Sequence, residues 1–233
     1  MTIWLRTTKS TMLDAAALAL RGEAHGTVVV AEEQSEGIGR HGNAWHSPDN
    51  GGLYMSIILR LPLTSDAMPV LTMALGLGVQ RAVDEFCGVA CDIRWPNDVM
   101  LNGKKLSGIL VQMVDKGTLI GGIGVNVSQP SFSETLREIA TSLLIETGRA
   151  YRKEELLERI VAEVLRCSSL LTERGKAEII RLFEERSTWA RDKAVEVDGR
   201  IRGVTAGLNE DGFLLVQTDS RVETILAGGV REA

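Results

Sequence analysis

"KKLSGILVQMVDKGTLIGGIGVNV", Lys104 to Val127, decides the fold. It holds two β-type runs, "KLSGILVQMV" and "TLIGGIGVNV", separated by the turn residues "DKG". Glycines inside the second run let neighbouring groups pack close to the backbone. They are no dinucleotide fingerprint, because they lie among β-type residues and not at a strand-to-helix turn. Toward the N-terminus, "DAMPVLTMALGLGVQRAVDEFCG" (66–88) reads as a long buried helix. "LYMSIILRL" (53–61) and "GTVVVAEEQ" (26–34) read as strands. "TMLDAAALALRG" (11–22) reads as a helix with Ser10 as its N-cap and Gly22 as its end. This alternation implies a mixed α/β sheet with helices packed on it.

Toward the C-terminus, the spacing predicts amphipathic helices over 133–148 and 152–175, and a further one over 176–188. In the second of these, Leu156, Ile160 and Val164 form one stripe, and Leu157, Val161 and Leu165 the adjacent one. Core packing accounts for both stripes. From about Ala194 the texture changes to short β runs, "AVEVDG", "IRGVTAGL", "FLLVQT" and "VETILAG", separated by turn signals. They predict a small antiparallel barrel or sandwich, and a division of the chain into 1–190 and 191–233.

A chain of 233 residues can bury roughly 70% of its unfolded surface and needs no disulfide or metal staple. The net charge of −5 and a pI near 5.4 argue against a dedicated nucleic-acid binder. "MTIWLRTTKS" lacks the apolar centre of a signal peptide, and no segment offers the ~18 apolar residues of a membrane span. Cys87, Cys91 and Cys167 show no CxxC spacing and suit the reduced thiols of a cytoplasmic protein. His25, His41 and His46 match no zinc spacing with them; His41 and His46 would point to a metal only if a carboxylate joined them.

Three stretches carry chemistry, each beside a plainer reading. In "EEQSEGIGRHGNAWHSP" (32–48), Arg40 stands between Gly39 and Gly42, with Trp45 close behind. Glycine brings a backbone near a ligand, arginine pairs with phosphate or carboxylate, and tryptophan can stack on a ring; the alternative is a mobile surface turn. In "RWPNDVMLNGKKLSGILVQ" (94–112), Pro96 biases Trp95 away from helix and puts Asn97 and Asp98 at a turn. That pair can orient a ligand amide or help hold a hydrated cation, or it can simply form an Asx-turn. Lys105, entering a strand from a glycine turn, can point into a cleft and neutralise an anion, or it can be an exposed hairpin lysine. No GxxxxGK[ST] occurs, so an ATP site here is not a P-loop, and Ser10 has no evident base partner for a nucleophile triad.

Taken together, "STM" (10–12), "QSEGIGRHGNAWHSP", "RWPNDVMLNGKKLSGILV" and "GIGVNV" resemble the biotin protein ligases in order and spacing. The resemblance covers nearly the whole chain; the helices between about 131 and 190 carry little of it. It implies an α+β fold: a catalytic domain with a mixed, class II synthetase-like sheet flanked by helices, closed by a small SH3-like β-barrel. It also implies a reaction in two steps. Biotin's carboxylate attacks the α-phosphate of ATP, with Mg²⁺ present, to give biotinyl-5′-AMP. The ε-amine of one lysine on the biotin carrier domain of a carboxylase, such as acetyl-CoA carboxylase, then attacks the mixed anhydride. The first step brings two anions together and needs preorganised positive charge.

The resemblance assigns Ser10, Thr11, Met12 and Gln34 to the biotin head group, and Arg40 to the carboxylate and the phosphate. Lys105 stabilises charge in both steps, Trp45 covers the adenylate, and Asn97, Asp98 and Asn126 face the nucleotide, Asp98 with a possible role at the metal. Gly37, Gly39, Gly108 and Gly122 allow close backbone approach. Ile38 and Asn43 stand where relatives often hold basic residues, which leaves Arg40 as the only permanently charged base of the loop. No DNA-binding domain precedes the first motif, so a ligase without repressor function, working in the cytoplasm as a monomer or homodimer, is expected. Two rivals remain: a lipoate or octanoate ligase of the same fold, and a non-catalytic biotin-binding module.

Overall fold

The computed structural model describes residues 1–233 except the His41 side chain, so the metal reading at that histidine lies outside the described residues. The chain opens with strand β1 (Thr2–Thr8), helix α1 (Thr11–Leu20) and strands β2 (Val28–Gln34) and β3 (Gly52–Arg60). Helix α2 (Met68–Cys87) is followed by β4 (Asp92–Arg94), β5 (Asp98–Leu101), β6 (Lys104–Asp115) and β7 (Thr118–Asn126). Helices α3 (Leu143–Thr147), α4 (Lys153–Arg174) and α5 (Lys176–Arg186) come next. Strands β8 (Arg191–Val197), β9 (Ile201–Leu208), β10 (Leu214–Gln217), β11 (Val222–Ile225) and β12 (Val230–Glu232) complete the chain.

The first seven strands form one sheet in the order β1-β2-β3-β7-β6-β5-β4, and the last five a second in the order β11-β10-β9-β8-β12. β1 and β2 pair in parallel, and the other described strand–strand pairings are antiparallel; a single parallel bridge joins Lys105 to Ala140. The large sheet is covered on both faces, and strand alternation decides which residue serves which face. Val28 and Val30 enter the main core beneath α2 and α4, whereas Val29, Ile58 and Ile120 pack against Met12, Ala15 and Ala19 of α1. Pro69 sits in the first turn of α2, where a missing N–H is harmless. Gly88, left-handed at φ 70°, ends that helix.

Helices α2 and α4 approach to backbone contact at Gly78, where a Cβ would lie 2.8 Å from the Val164 N and Cα atoms. Overpacking a core typically costs about 1–3 kcal/mol. It outweighs the roughly 1 kcal/mol of helix propensity that alanine gains over glycine. Gly78→Ala is therefore expected to lower the denaturant midpoint; a raised midpoint would show that α4 can withdraw freely.

The mixed sheet and its long strands agree with the sequence reading. The expected amphipathic helix over 133–148 is corrected: only Leu143–Thr147 is helical. The backbone there pairs elsewhere, since Lys105 N–H donates to the Ile139 carbonyl (2.8 Å) and Thr141 N–H to the Lys105 carbonyl (3.0 Å). Ser142 then starts a fresh helix, its hydroxyl accepting from Ile145 N–H at 3.1 Å. Strands β1, β4, β5 and β12 were not legible, being edge strands or only three or four residues long.

Candidate active site

On the α1 face of the large sheet the side chains give out. Gly122 and Gly124 follow Ile120 at the period of two, and Gly108 is paired with Gly124 across β6 and β7. The gap they leave is the floor of a cavity of about 360 Å³. A Cβ at Gly122 would collide with the Met12 sulfur, and one at Gly108 or Gly124 with the Trp45 ring. Gly121 faces the other way, where Leu75 of α2 fills its space.

One end of the cavity is polar and uncharged. Thr11 donates to Gln34 Oε1 from its backbone N–H (2.9 Å) and its hydroxyl (3.1 Å), and shares a 2.8 Å hydrogen bond with Ser56 Oγ. Gln34 Nε2 donates to Ser47 Oγ at 2.9 Å. Ser10 holds the N-cap position of α1 yet makes no side-chain capping bond, contrary to expectation. Its hydroxyl is buried on the cavity wall without a protein partner among the described residues. A buried polar atom left unpaired costs about 1–3 kcal/mol, so this hydroxyl is suited to a ligand's hydrogen bond.

The other end is charged. Arg40 Nη1 donates to Asn97 Oδ1 at 3.0 Å. Asn97 is fixed in turn by its Nδ2 on the Ile109 carbonyl (2.8 Å). Lys105 Nζ lies 2.5 Å from Asp98 Oδ1 and 5.3 Å from the centre of the Trp45 ring, while Arg94 Nη2 holds Asp98 Oδ2 at 2.7 Å. Burial opposes ionisation of Asp98, but Lys105 and Arg94 outweigh it and hold the carboxyl below its ordinary value. Burial lowers the pKa of Arg40, against the charges of Asp98 and Asp198, and arginine remains a cation at neutral pH regardless.

A carboxyl whose folded pKa is depressed contributes stability above its unfolded value, and that contribution is lost as pH falls through the folded one. Asp98→Asn is therefore expected to lose roughly 2 kcal/mol at neutral pH, discounted for the partial exposure of its two partners. The gap from wild type should begin to narrow below about pH 4, where the unfolded carboxyl takes up its proton, and close once the pH has fallen through the lower folded value. Urea titrations at a series of pH values measure this, and a gap that does not change with pH contradicts it.

Ser10, Thr11, Met12, Gln34, Gly39 and Arg40 all border the cavity, and so do Trp45, Asn97, Asp98, Lys105, Gly108 and Gly122. Gly37 and Asn126 do not. Gly37 is required by the loop itself, since a Cβ there would meet the Trp45 carbonyl at 2.7 Å and Ser47 Oγ at 2.8 Å. Asn126 is 5% exposed, donates to the Thr141 carbonyl at 2.9 Å and accepts from Gln129 Nε2 at 3.0 Å. It thereby pins the segment after β7. Ile38, 42% exposed, and Asn43 also line the cavity.

Gly124 was missed, although its period-two spacing from Gly122 was a usable signal. Asp198, Gly228, Gly229 and Arg231 of the second sheet also line the cavity and carried no signal in sequence. Among the described residues no three His, Cys, Asp or Glu side chains cluster as a metal site would need, and no helix is long and apolar enough to cross a membrane.

Residues 4–128 match the model of the biotin/lipoate A/B protein ligase family. The chain is 30% identical to the biotin–[acetyl-CoA-carboxylase] ligase of Paracoccus denitrificans, over 97% of its own length and 98% of that protein's. It is 31% identical to the bifunctional ligase/repressor of Bacillus subtilis, over 95% of its own length and 70% of the relative's. Among solved structures, the biotin protein ligase of Aquifex aeolicus in complex with biotin and ATP superposes with a TM-score of 0.89 at 30% identity. That match covers 100% of this chain and 99% of the other.

Proposed function

The chain belongs to the biotin/lipoate A/B protein ligase family, and within that family we propose that it is an ATP-dependent biotin protein ligase. It activates biotin to biotinyl-5′-AMP and transfers the biotinyl group to one lysine on the biotin carrier domain of a carboxylase such as acetyl-CoA carboxylase. The observation that carries this reading is the division of one cavity into a neutral polar end, with the unpartnered Ser10 hydroxyl, and a cationic end at Arg40 and Lys105. Biotin has matching ends: a ureido ring that donates and accepts hydrogen bonds, and a carboxylate. A plain octanoyl chain, or lipoate with its apolar dithiolane ring, would leave the buried Ser10 hydroxyl without a partner, an arrangement that polar sites penalise heavily.

In the first step a carboxylate oxygen of biotin attacks the α-phosphorus of ATP, and the bond to the β-phosphate oxygen breaks to release pyrophosphate. Arg40 and Lys105 offset the charge of the two approaching anions; preorganised donors of this kind are the largest single contribution in many active sites. In the second step the neutral amine of the carrier lysine attacks the acyl carbon. The bond to AMP breaks, and the amine's surplus proton leaves as the amide forms. Lys105 serves both steps from its place beside Asp98, its remaining N–H groups donating to the ligand oxygens, with Asp98 kept ionised by Arg94.

Mg²⁺ would be held chiefly by the triphosphate of ATP, where it would supply further charge neutralisation, since no acidic or imidazole cluster among the described residues would hold it alone. Asp98 acts on Lys105 and not as a direct metal ligand, since its two oxygens are engaged by two cations. Trp45 covers the adenylate, Gly39, Gly108 and Gly122 permit its close approach, and Asn97 places Arg40. Asn126 and Gly37 support this arrangement from behind. Residues 1–190 form the catalytic domain, residues 191–233 roof the cavity, and the protein works in the cytoplasm. Calorimetric titration tests the substrate class: biotin binds and lipoate does not. Tight lipoate binding without biotin binding would transfer the activity to the other branch of the family.

A further inference from the structure

The turn running from Trp95 to Asp98 joins parts that lie far apart in the chain. At its C-terminal end, Asn97 accepts from Arg40 at 3.0 Å and Asp98 holds Lys105 at 2.5 Å. The turn is anchored to β6 by a second bond, Ile109 N–H to the Asn97 carbonyl at 2.9 Å. At its N-terminal end, Trp95 is 2% exposed and donates its Nε1–H to the Gly212 carbonyl at 2.9 Å. Gly212 lies in the loop between β9 and β10, 117 residues further along.

That loop is a preformed plug. Asn209 Oδ1 accepts from the N–H groups of Asp211 (3.1 Å) and Phe213 (2.9 Å). Gly212, at φ 82°, presses against α2 so closely that a Cβ would meet Met73 Cε at 2.5 Å and Val70 Cγ2 at 3.0 Å. Lys176 of α5 fastens the same loop from outside, bridging Asp66 (2.9 Å) and Asp211 (3.1 Å). The sheet seated by this plug supplies Asp198, Gly228, Gly229 and Arg231 to the cavity at which Arg40 and Lys105 act.

We propose that Trp95 is a positioning residue for the nucleotide half of the site: its bond to Gly212 seats the C-terminal sheet over the cavity, and the same turn carries that seating to Arg40 and Lys105. This rests on the ligase reading. If only bulk were needed at this position, a phenyl ring would serve; the indole adds one buried donor aimed at one buried carbonyl, and neither finds an equal substitute when the other is removed. The biotin end is held separately: among the described residues the hydrogen bonds of Thr11 and Gln34 run to each other, Ser47 and Ser56, and not to this turn.

The test is Trp95→Phe in the full chain, with biotin affinity measured by calorimetry and KM for ATP and kcat measured in adenylate formation. The expected result is a KM for ATP raised about tenfold, the scale of one buried hydrogen bond, with biotin affinity unchanged. Lys176→Ala, whose side chain borders no part of the cavity, should shift KM for ATP the same way by about threefold, as expected of a half-exposed ion pair. Two results overturn the proposal: both variants keep the wild-type KM for ATP, or ATP and biotin weaken in parallel with a fall in thermal midpoint. Should Trp95→Phe fail to fold, the Lys176→Ala result decides alone. A folded wild-type protein that forms no adenylate overturns the ligase reading and this proposal with it, whereas an active wild type with unaltered variants overturns this proposal only.

Discussion

Lys105→Ala is expected to slow adenylate formation by more than ~10²-fold, the scale of one lost electrostatic stabiliser in a water-excluded site. The lysine enters β6 with its ammonium between Asp98 and the Trp45 ring, so its charge is already placed before ligand arrives. A placed charge costs no reorganisation when negative charge accumulates on the reacting oxygens, which is why the loss falls on the rate and less on biotin binding. Removing it also leaves Asp98 with Arg94 as its remaining cation, so the thermal midpoint must be followed alongside. A near-normal single-turnover rate in a folded variant would move the role to another group.

Arg40→Gly is expected to let biotinyl-adenylate escape, and the signature is promiscuous labelling. Arg40 is the only permanently charged base between Glu32 and Pro48, and it is held in place by Asn97 and the turn beneath it. Its neighbours in the loop, Ile38 and Asn43, line the cavity but cannot replace a guanidinium that pairs bidentately with phosphate or carboxylate. Free adenylate acylates any neutral amine it meets, so lysines of a bystander protein should be labelled at least about tenfold more than with wild type, one lost charge-assisted contact being worth roughly 1.5–3 kcal/mol. Mass spectrometry of a mixed carrier and bystander sample reads this directly. Labelling still confined to one carrier lysine would show that retention depends on the rest of the cavity.

Much of the fold was legible because its long elements have strong periods. Strands β2, β3, β6 and β7 are apolar runs bounded by turn residues, and α2 and α4 carry clear starts, stripes and stops. What escaped was set by partners far away in sequence. Residues 133–142 have the pattern of a helix, but Ile139 and Thr141 exchange hydrogen bonds with Lys105 instead, and no local preference encodes that pairing. The site shows the same division. Arg40, Trp45 and Lys105 stood out by residue type and setting, Gly122 through the family resemblance, and all reach the cavity. Asn126 was assigned through the same resemblance and is committed to Thr141 and Gln129, because a motif match does not distinguish a ligand contact from a buried structural amide. The contribution of Asp198 and Arg231 depends on how the second sheet docks, which is written in contacts such as Trp95 to Gly212 and in no local motif.

In the proposed reaction one cavity joins biotin to AMP and then to a lysine. The most direct measurement incubates the folded protein with labelled biotin, MgATP and a biotin carrier domain, and follows pyrophosphate, adenylate and labelled carrier together. Pyrophosphate release that depends on biotin, and label on a single carrier lysine, are expected. Biotin bound by a folded protein, with neither pyrophosphate released nor carrier labelled, would contradict it.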